Sequence, residues 1–173
     1  MIDMKKIFIF LNFCILFILF SSCNNKILDI TVTEPEYMQC FPYSVNKLLG
    51  DQELLEAIGN NRLIEDYDSW NSLYSNVKFK SRNFDGNSQK EEEFLNSINR
   101  RFFRKYNIAI CVFGSSSGGN GYRTDKYIVK DNNIDIFITQ YQVGISADFV
   151  RIVILTFIPI KYIGENPNIN YNL

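Results

Sequence analysis

The stretch Asn107–Lys130, with the sequence NIAICVFGSSSGGNGYRTDKYIVK, decides how the fold of this 173-residue chain is read. Its first residues place apolar side chains on two faces, as a buried strand does, and its last residues are again typical of a strand. The segment between them, Gly114–Gly121, has four glycines and three serines, a composition that forms no packed element by itself. We therefore interpret this segment as a loop that two strands present on a sheet.

The rest of the C-terminal half is also rich in strands. Four strands are predicted near residues 107–113, 122–129, 134–143 and 149–162, and the turns between them are short. Short connections favour antiparallel neighbours, because a parallel crossover needs about a dozen residues or more. The prediction is a four-stranded meander. The last strand has apolar residues on both faces, so it should be central or covered by helices on one side.

The N-terminal half predicts helices. Asp66 is a suitable N-cap for a helix whose apolar positions recur at i, i+3, i+4 and i+7, and Trp70 on that face is assigned to the core rather than to a ligand. Ser88 and Glu91 form a capping box for another helix. Three arginines are expected near the end of that helix, where they match the helix dipole: Arg100, Arg101 and Arg104.

Shorter helices, strands and loops are predicted in the rest of the N-terminal half. A helix is predicted from Asp51 to Gly59, and strands are predicted at 27–33 and 62–65. Segment 34–43 is predicted to be a loop because it contains two prolines, and segment 78–87 because it is polar. The predicted fold class is α+β: an antiparallel β-meander of about four strands in the C-terminal half, packed against two or three N-terminal helices. One domain spans residues 27–164, and residues 165–173 are expected to form a flexible tail.

An export signal precedes this domain. Two lysines are followed by the apolar run Ile7–Phe20, which is too short to cross a bilayer comfortably, and then by two serines and Cys23. The end of the segment resembles a bacterial lipobox, in which the cysteine is diacylated and becomes the first mature residue. The resemblance implies a lipoprotein signal peptide at 1–22, a lipidated tether at 23–26 and Cys23 as the lipidation site. An ordinary signal peptide and an uncleaved anchor helix are the alternatives.

Charge and composition exclude several functions. The formal net charge is −1 and the basic residues are scattered among acidic ones, so no nucleic-acid partner is expected. The chain has no histidine, which removes Ser-His-Asp and Cys-His triads and the commonest zinc-binding patterns. No catalytic residue, metal or cofactor is therefore predicted.

The glycine-rich loop matches two catalytic patterns only in part. Gly114, Ser116 and Gly118 fit the G-x-S-x-G nucleophile elbow, but that motif leads into a helix and needs a histidine. The loop also has the glycine spacing of a P-loop, but Asn120 stands where lysine is required. Neither a serine hydrolase nor a phosphate site is expected.

Two other groups of residues have structural explanations. Glu65, Asp66 and Asp68 are read as the start of a capped helix rather than as metal ligands. Cys40 and Cys111 follow the lipobox cysteine, and export would permit a disulfide between them. Two buried free thiols are the alternative, since Cys111 lies inside an apolar strand.

From Leu63 to about residue 163 the chain resembles the protease-complex lipoprotein family, of the PrcB C-terminal domain type. That family has a strand, a helix with a Trp-x-x-Leu element, an aromatic step, a strand ending in glycine and a loop of T-G-G-Y type. The residues that match these features here are Trp70 and Leu73, Phe102 and Phe103, Ile108–Gly114, and Gly121 with Tyr122. The resemblance implies a lipoprotein that associates with a surface protease.

We therefore expect a non-enzymatic, membrane-anchored lipoprotein of the bacterial cell envelope, in the inner or outer membrane, that acts as a protein-binding accessory subunit of a protease complex. The alternative is a lipid-anchored glycan-binding protein or a carboxylate-based hydrolase. The loop is expected to serve binding more than folding, so that a short Asn-Gly turn could replace residues 115–120 without loss of the fold. The predicted partner-binding residues are Gly114, Ser115, Ser116, Ser117, Gly118, Gly119, Asn120, Gly121 and Tyr122.

Overall fold

The structure is a computed structural model that describes residues 29–43, 58–59, 61–81, 88–117, 119–144 and 149–173. Over these residues the chain forms nine strands, two short α-helices and two 3₁₀ turns. In chain order they are β1 (Ile30–Thr33), β2 (Tyr37–Tyr43), β3 (Asn61–Ile64), α1 (Tyr67–Asn76), β4 (Lys78–Ser81), α2 (Ser88–Ser97), the turn Phe102–Arg104, β5 (Tyr106–Ser115), β6 (Gly121–Lys130), β7 (Asn133–Gln142), β8 (Val150–Pro159), the turn Ile160–Tyr162 and β9 (Asn168–Asn172).

The strands form two sheets. The central sheet has the order β3-β5-β8-β2-β4, and all of its neighbours are antiparallel. The outer sheet has the order β1-β6-β7-β9, with β9 parallel to β7. Strands β5 and β8 belong to the central sheet, while β6 and β7, which lie between them in sequence, belong to the outer sheet. The chain therefore leaves the central sheet after β5 and returns to it at β8.

The central sheet is covered on both faces. On one face, Ile110 and Val153 pack with Trp70 of α1 and Leu95 of α2, in what we call the helix-side core. On the other face, alternate residues of the same strands pack against the outer sheet in the inter-sheet core, which contains Cys111, Ile154, Tyr127 and Ile136. The prediction that the last long strand is central or covered by helices on one side is confirmed, since β8 is the middle strand of its sheet and packs against both helices on one face, and so is the assignment of Trp70 to the core.

The predicted α+β meander is wrong. The positions of the four C-terminal strands were predicted to within about two residues at most ends, but β5 does not pair with β6. It pairs with β8 along its whole length, from Tyr106 opposite Pro159 to Ser115 opposite Val150. A short connection joins neighbouring strands, but it also spans the roughly 10 Å between two packed sheets. Connection length therefore could not distinguish a meander from this mostly β, two-sheet arrangement.

Three segments read as loops or tail are strands. Segment 34–43 contains β2, which tolerates Pro42 because the pairing of β2 with β8 ends at Cys40 and only β4 lies beside Pro42. Segment 78–87 begins with β4, whose Phe79 is buried in the helix-side core. The expected flexible tail forms β9, and Tyr171 packs against the inter-sheet core. Tertiary contacts of single aromatic residues override the polar composition of these segments.

The predictions for the helices hold in part. Asp66 caps α1 by accepting a hydrogen bond from the Ser69 backbone N–H at 2.8 Å, which confirms that cap. Helix α2 ends at Ser97, so the three arginines follow the helix instead of matching its dipole. Arg100 pairs with Asp68 across a gap of 2.9 Å. Gly59 has the left-handed φ of 77° expected of a helix end, while the predicted helix at 51–57 lies outside the described residues.

Both buried cysteines are free thiols. Cys40 lies in the helix-side core and Cys111 in the inter-sheet core, with β8 between their two strands. Two strand spacings separate them by about 9–10 Å, more than the roughly 7 Å that a disulfide tolerates. Burial raises the pKa of Cys111 to about 12 and raises that of Cys40 as well. Of the two alternatives, the structure selects buried thiols.

Candidate functional site

The glycine-rich loop is a crossover between the two sheets. It leaves the central sheet at Ser115 and enters the outer sheet at Gly121. Three of its polar side chains point inward: Ser115 is 1% exposed, Ser117 4% and Asn120 4%. The Ser115 hydroxyl donates to the Ser117 carbonyl oxygen at 2.9 Å and lies 3.2 Å from the Tyr122 hydroxyl. The loop is therefore an ordered part of the fold and not a free hairpin tip.

Asn120 is the central residue of this crossover. Its side-chain Nδ2 donates to the Ser115 hydroxyl at 2.9 Å, and its Oδ1 accepts from the Gly144 backbone N–H at 2.7 Å. Gly144 lies in the second connection between the sheets, which leads from β7 back to β8. A single asparagine side chain thus joins the two connections, because a primary amide donates and accepts at once.

Gln39 of β2 ties the crossover to the central sheet. This side chain is only 5% exposed. Its Nε2 donates to the Asn120 carbonyl oxygen at 3.1 Å, and its Oε1 accepts from the Tyr122 backbone N–H at 2.7 Å. The Asn120 carbonyl belongs to the crossover, and the Tyr122 N–H lies at the start of β6, beside an irregularity in the pairing of β6 with β7. Gln39 satisfies them in place of a strand partner.

The two connections also touch backbone to backbone. An alanine Cβ built at Gly144 would lie 2.1 Å from the Gly119 Cα and 2.2 Å from the Gly119 carbonyl carbon. No side chain fits between these segments. Glycine is required here for close approach rather than for a special φ.

The crossover residues named from the sequence now divide by exposure. Gly114 and Ser116 are exposed and Gly119 and Tyr122 are half-buried, whereas Gly118 lies outside the described residues. The side chains of Ser115, Ser117 and Asn120 are buried in the hydrogen-bond network. A binding partner at this end would therefore meet Ser116 and its neighbours on the other connection.

Three apolar side chains beside the crossover were not singled out from the sequence. Tyr141 is 49% exposed, Val143 80% and Phe149 64%; Tyr141 lies near the end of β7, and Val143 and Phe149 begin and end the connection from β7 to β8. The Phe149 ring lies over Gly114, and the Tyr141 ring lies over Gly121. Aromatic residues opposite glycines on neighbouring strands are a usable signal, but only once the pairing of β5 with β8 is known. Exposed aromatic groups of this kind are typical of protein-binding surfaces.

The crossover lies at one end of the molecule, and the chain enters the domain at the other. Strand β1 begins at Ile30, which is paired with Val129 beside the turn between β6 and β7. That turn, at Asp131 and Asn132, has positive φ values of 47° and 63° and is a tight hairpin turn as predicted. We call this the basal end and the opposite one the crossover end. The proposed lipidation site, Cys23, lies outside the described residues.

The acidic residues considered as ligands have structural roles. The Ser69 backbone N–H holds the pKa of Asp66 below its usual value, and Asp68 pairs with Arg100. A third carboxylate, Asp125, accepts hydrogen bonds from Thr139 and Arg123, and the first of these lowers its pKa most. Within the part of the chain that the structure describes, no three Asp, Glu, Cys or His side chains come together as a metal site. The element that follows Ser116 is strand β6, whereas a nucleophile elbow leads into a helix.

No family model matches the chain, and neither the curated proteins nor the solved structures gave a match. Among the described residues, no helix has the length and apolar character needed to cross a membrane.

Proposed function

We propose that this chain is a non-enzymatic, membrane-anchored lipoprotein of the bacterial cell envelope that binds a protein partner at its crossover end. The partner class that the sequence resemblance suggests is a surface protease, for which the chain would be an accessory subunit. The anchor is the acylated Cys23. The binding surface consists of the exposed side chains around the two inter-sheet connections: Ser116, Tyr141, Val143 and Phe149.

The observation that carries the proposal is the separation of the two ends. Strands β5 and β6 each have ten residues, so they hold the crossover about 30 Å from the basal end, where the chain enters. An anchor at Cys23 would leave the crossover end pointing away from the membrane. The crossover end is also where exposed apolar side chains lie next to a rigid, hydrogen-bonded backbone. A preorganised surface of that kind binds with little loss of conformational freedom.

The first prediction concerns the anchor. Replacing Cys23 by serine removes the only thiol of the lipobox, so labelled palmitate should no longer be incorporated and the protein should be uncleaved or leave the membrane fraction. The measurement is palmitate incorporation together with membrane fractionation of the full chain. Cys111→Ser is the matched control and should keep its label. Equal incorporation in the wild type and Cys23→Ser would contradict the lipoprotein assignment.

The second prediction concerns the partner. A photo-crosslinking amino acid at Val143, the most exposed apolar position beside the crossover, should give one discrete adduct in membranes. The same group at Gln89, which is exposed on α2, is the control and should give no such adduct. Adding Phe149→Ser should lower the yield at position 143 at least several-fold, because exposed aromatic anchors contribute most of the binding energy at such surfaces.

Mass spectrometry of the adduct identifies the partner. An adduct at Gln89 equal to that at Val143, or none at either position, would rule out a partner surface at the crossover end.

A further inference from the structure

The basal end carries a group of cations that the fold brings together. Arg101, Arg104 and Lys105 surround the 3₁₀ turn before β5, and Lys161 lies in the turn after β8. The two turns are joined by a hydrogen bond of 3.0 Å from the Ile160 backbone N–H to the Lys105 carbonyl oxygen. All four side chains are exposed. We call these four residues the basal cations.

In the part of the chain that the structure describes, none of the four basal cations has a carboxylate partner. Among the described residues, ion pairs join Arg100, Arg123 and Lys130 to acidic groups, but none involves Arg101, Arg104 or Lys105. Acidic residues lie at this end on both sides. Asp131, Glu165 and Asp29, which is paired with Lys130, lie on the outer-sheet side, whereas Glu65, Asp66 and Asp68 follow the basal end of β3 on the central-sheet side, where Asp68 pairs with Arg100. The central-sheet side of the basal end therefore keeps four cations outside the ion pairs of the described residues, on a chain whose formal net charge is −1.

Aromatic residues lie among these cations. A pocket of about 480 Å³ opens between α2 and the first 3₁₀ turn; Phe94, Phe102 and Tyr106 form its apolar wall, and Arg101, Arg104 and Lys105 belong to its lining. Phe102 stacks on Tyr106 with ring centroids 5.4 Å apart. Nearby, Ile160 is 40% exposed. Cations next to half-buried aromatic and aliphatic groups suit a ligand with an anionic head and an apolar body.

We propose that the basal cations and this pocket rest on the anionic phospholipid of the bilayer in which the chain is anchored. The proposal rests on the proposed function, since it uses the anchor at Cys23. Five residues lie between Cys23 and Asp29, so the six Cα–Cα steps place the first described residue at most about 20 Å from the acylated cysteine. Asp29 pairs with Lys130 at the basal end, at 3.2 Å, so the tether brings this end to the lipid headgroups. An acidic peptide would satisfy the same cations, but nothing would hold it there.

The turn between β6 and β7 adds to the rigidity of this end. The side-chain Nδ2 of Asn132 donates to the carbonyl oxygen of Glu165 at 2.9 Å, so the outer-sheet hairpin is bound to the connection that follows β8. Both sheets thus contribute to one basal face. The orientation of that face at the membrane fixes the direction in which the crossover end points.

The test uses the full, acylated protein in vesicles of phosphatidylcholine alone or with phosphatidylglycerol. Amine-reactive labelling is measured at Lys105 and Lys161, with Lys90 as the control, because Lys90 is exposed near the start of α2, seven residues before the end of the helix at Ser97. Labelling of the two basal lysines should fall at least several-fold in the anionic vesicles, and that of Lys90 should not change. Arg101→Gln with Arg104→Gln should restore most of the labelling, because each lost cation weakens binding to an anionic surface about fivefold.

The outcomes separate this proposal from the anchor. Absence of an acyl mass on the protein, or its failure to stay with either vesicle, would reject the anchor and this proposal with it. An acylated protein that stays with both vesicles and labels equally in both would overturn the lipid contact alone. Equal labelling that an added glutamate-rich peptide suppresses would overturn it in favour of an acidic peptide ligand.

Discussion

Replacing Gly144 by alanine is expected to lower the free energy of unfolding by about 3 kcal/mol. The new Cβ would lie 2.1 Å and 2.2 Å from two backbone atoms of Gly119, and neither atom can move without separating the two inter-sheet connections. The hydrogen bond from the Gly144 N–H to Asn120 would be lost with them. Urea unfolding followed by fluorescence of the buried Trp70 measures the change.

Gly114→Ala is the matched control. Its Cβ would also come too close to a neighbour, the Phe149 ring, at 2.3 Å. That ring is 64% exposed and can swing into solvent, so the expected cost is about 1 kcal/mol or less. Equal stabilities of Gly144→Ala and the wild type would show that the two connections do not touch.

Replacing Gln39 by leucine should cost about 2–4 kcal/mol. Leucine has a similar volume and is apolar, so packing in the strand is preserved, but the Tyr122 N–H and the Asn120 carbonyl oxygen lose their partner. Both groups lie in backbone next to side chains that are largely buried, and each unpaired buried group costs about 1–3 kcal/mol. The midpoint of thermal unfolding should fall by about 5–15 °C for a chain of this length.

Gln140→Leu provides the comparison for this change. Gln140 is an exposed strand residue whose Nε2 donates to the Gln142 carbonyl oxygen at 3.2 Å, where water is an alternative partner. Its substitution should alter stability by no more than about 0.5 kcal/mol. If Gln39→Leu has the same midpoint of thermal unfolding as Gln140→Leu, the hydrogen bonds of Gln39 to the crossover contribute nothing to stability.

The hydrogen bonds of the crossover also change the expected result of replacing the loop by a short turn. From the sequence, a short Asn-Gly turn in place of residues 115–120 would preserve the fold. In the structure, that replacement removes Asn120 and Ser115 and forces β5 and β6 to pair with each other, although each has a partner in a different sheet. We now expect it to unfold the protein. Whether the loop binds a partner is a separate question, which the crosslinking experiment addresses.

The sequence predicted elements better than their arrangement. Alternation of apolar residues identifies β5 to β8, because a half-buried strand needs that pattern whichever neighbour it has. For the same reason the pattern carries no information about which strand is the neighbour. Tyr37 is opposite Thr156 and Ile30 is opposite Val129, pairs separated by about a hundred residues or more, and no local signal connects them.

The crossover between β5 and β6 lies where the sequence predicted a loop, but the reason for its composition was not predicted. Glycine and serine were interpreted as flexibility and free hydrogen-bonding groups. In the structure, backbone lies against Gly144 and an aromatic ring lies against Gly114, so glycine suits both positions because it has no side chain. The Ser115 hydroxyl is hydrogen-bonded within the loop. Close approach and a satisfied polar network depend on residues distant in sequence, such as Gln39. A single sequence does not reveal that dependence.

The pairing of distant strands has a consequence for the time at which the protein folds. Strand β2 needs β8, β1 needs β6, and the parallel partner of β7 is β9, which ends one residue before the C-terminal residue of the sequence. Proteins dominated by such non-local pairings fold in milliseconds to seconds, because long loops must close before any contact stabilises them. Neither sheet can be completed while its C-terminal strands are still being synthesised. A nascent chain of this kind therefore stays unfolded at least until β8 and β9 have been synthesised.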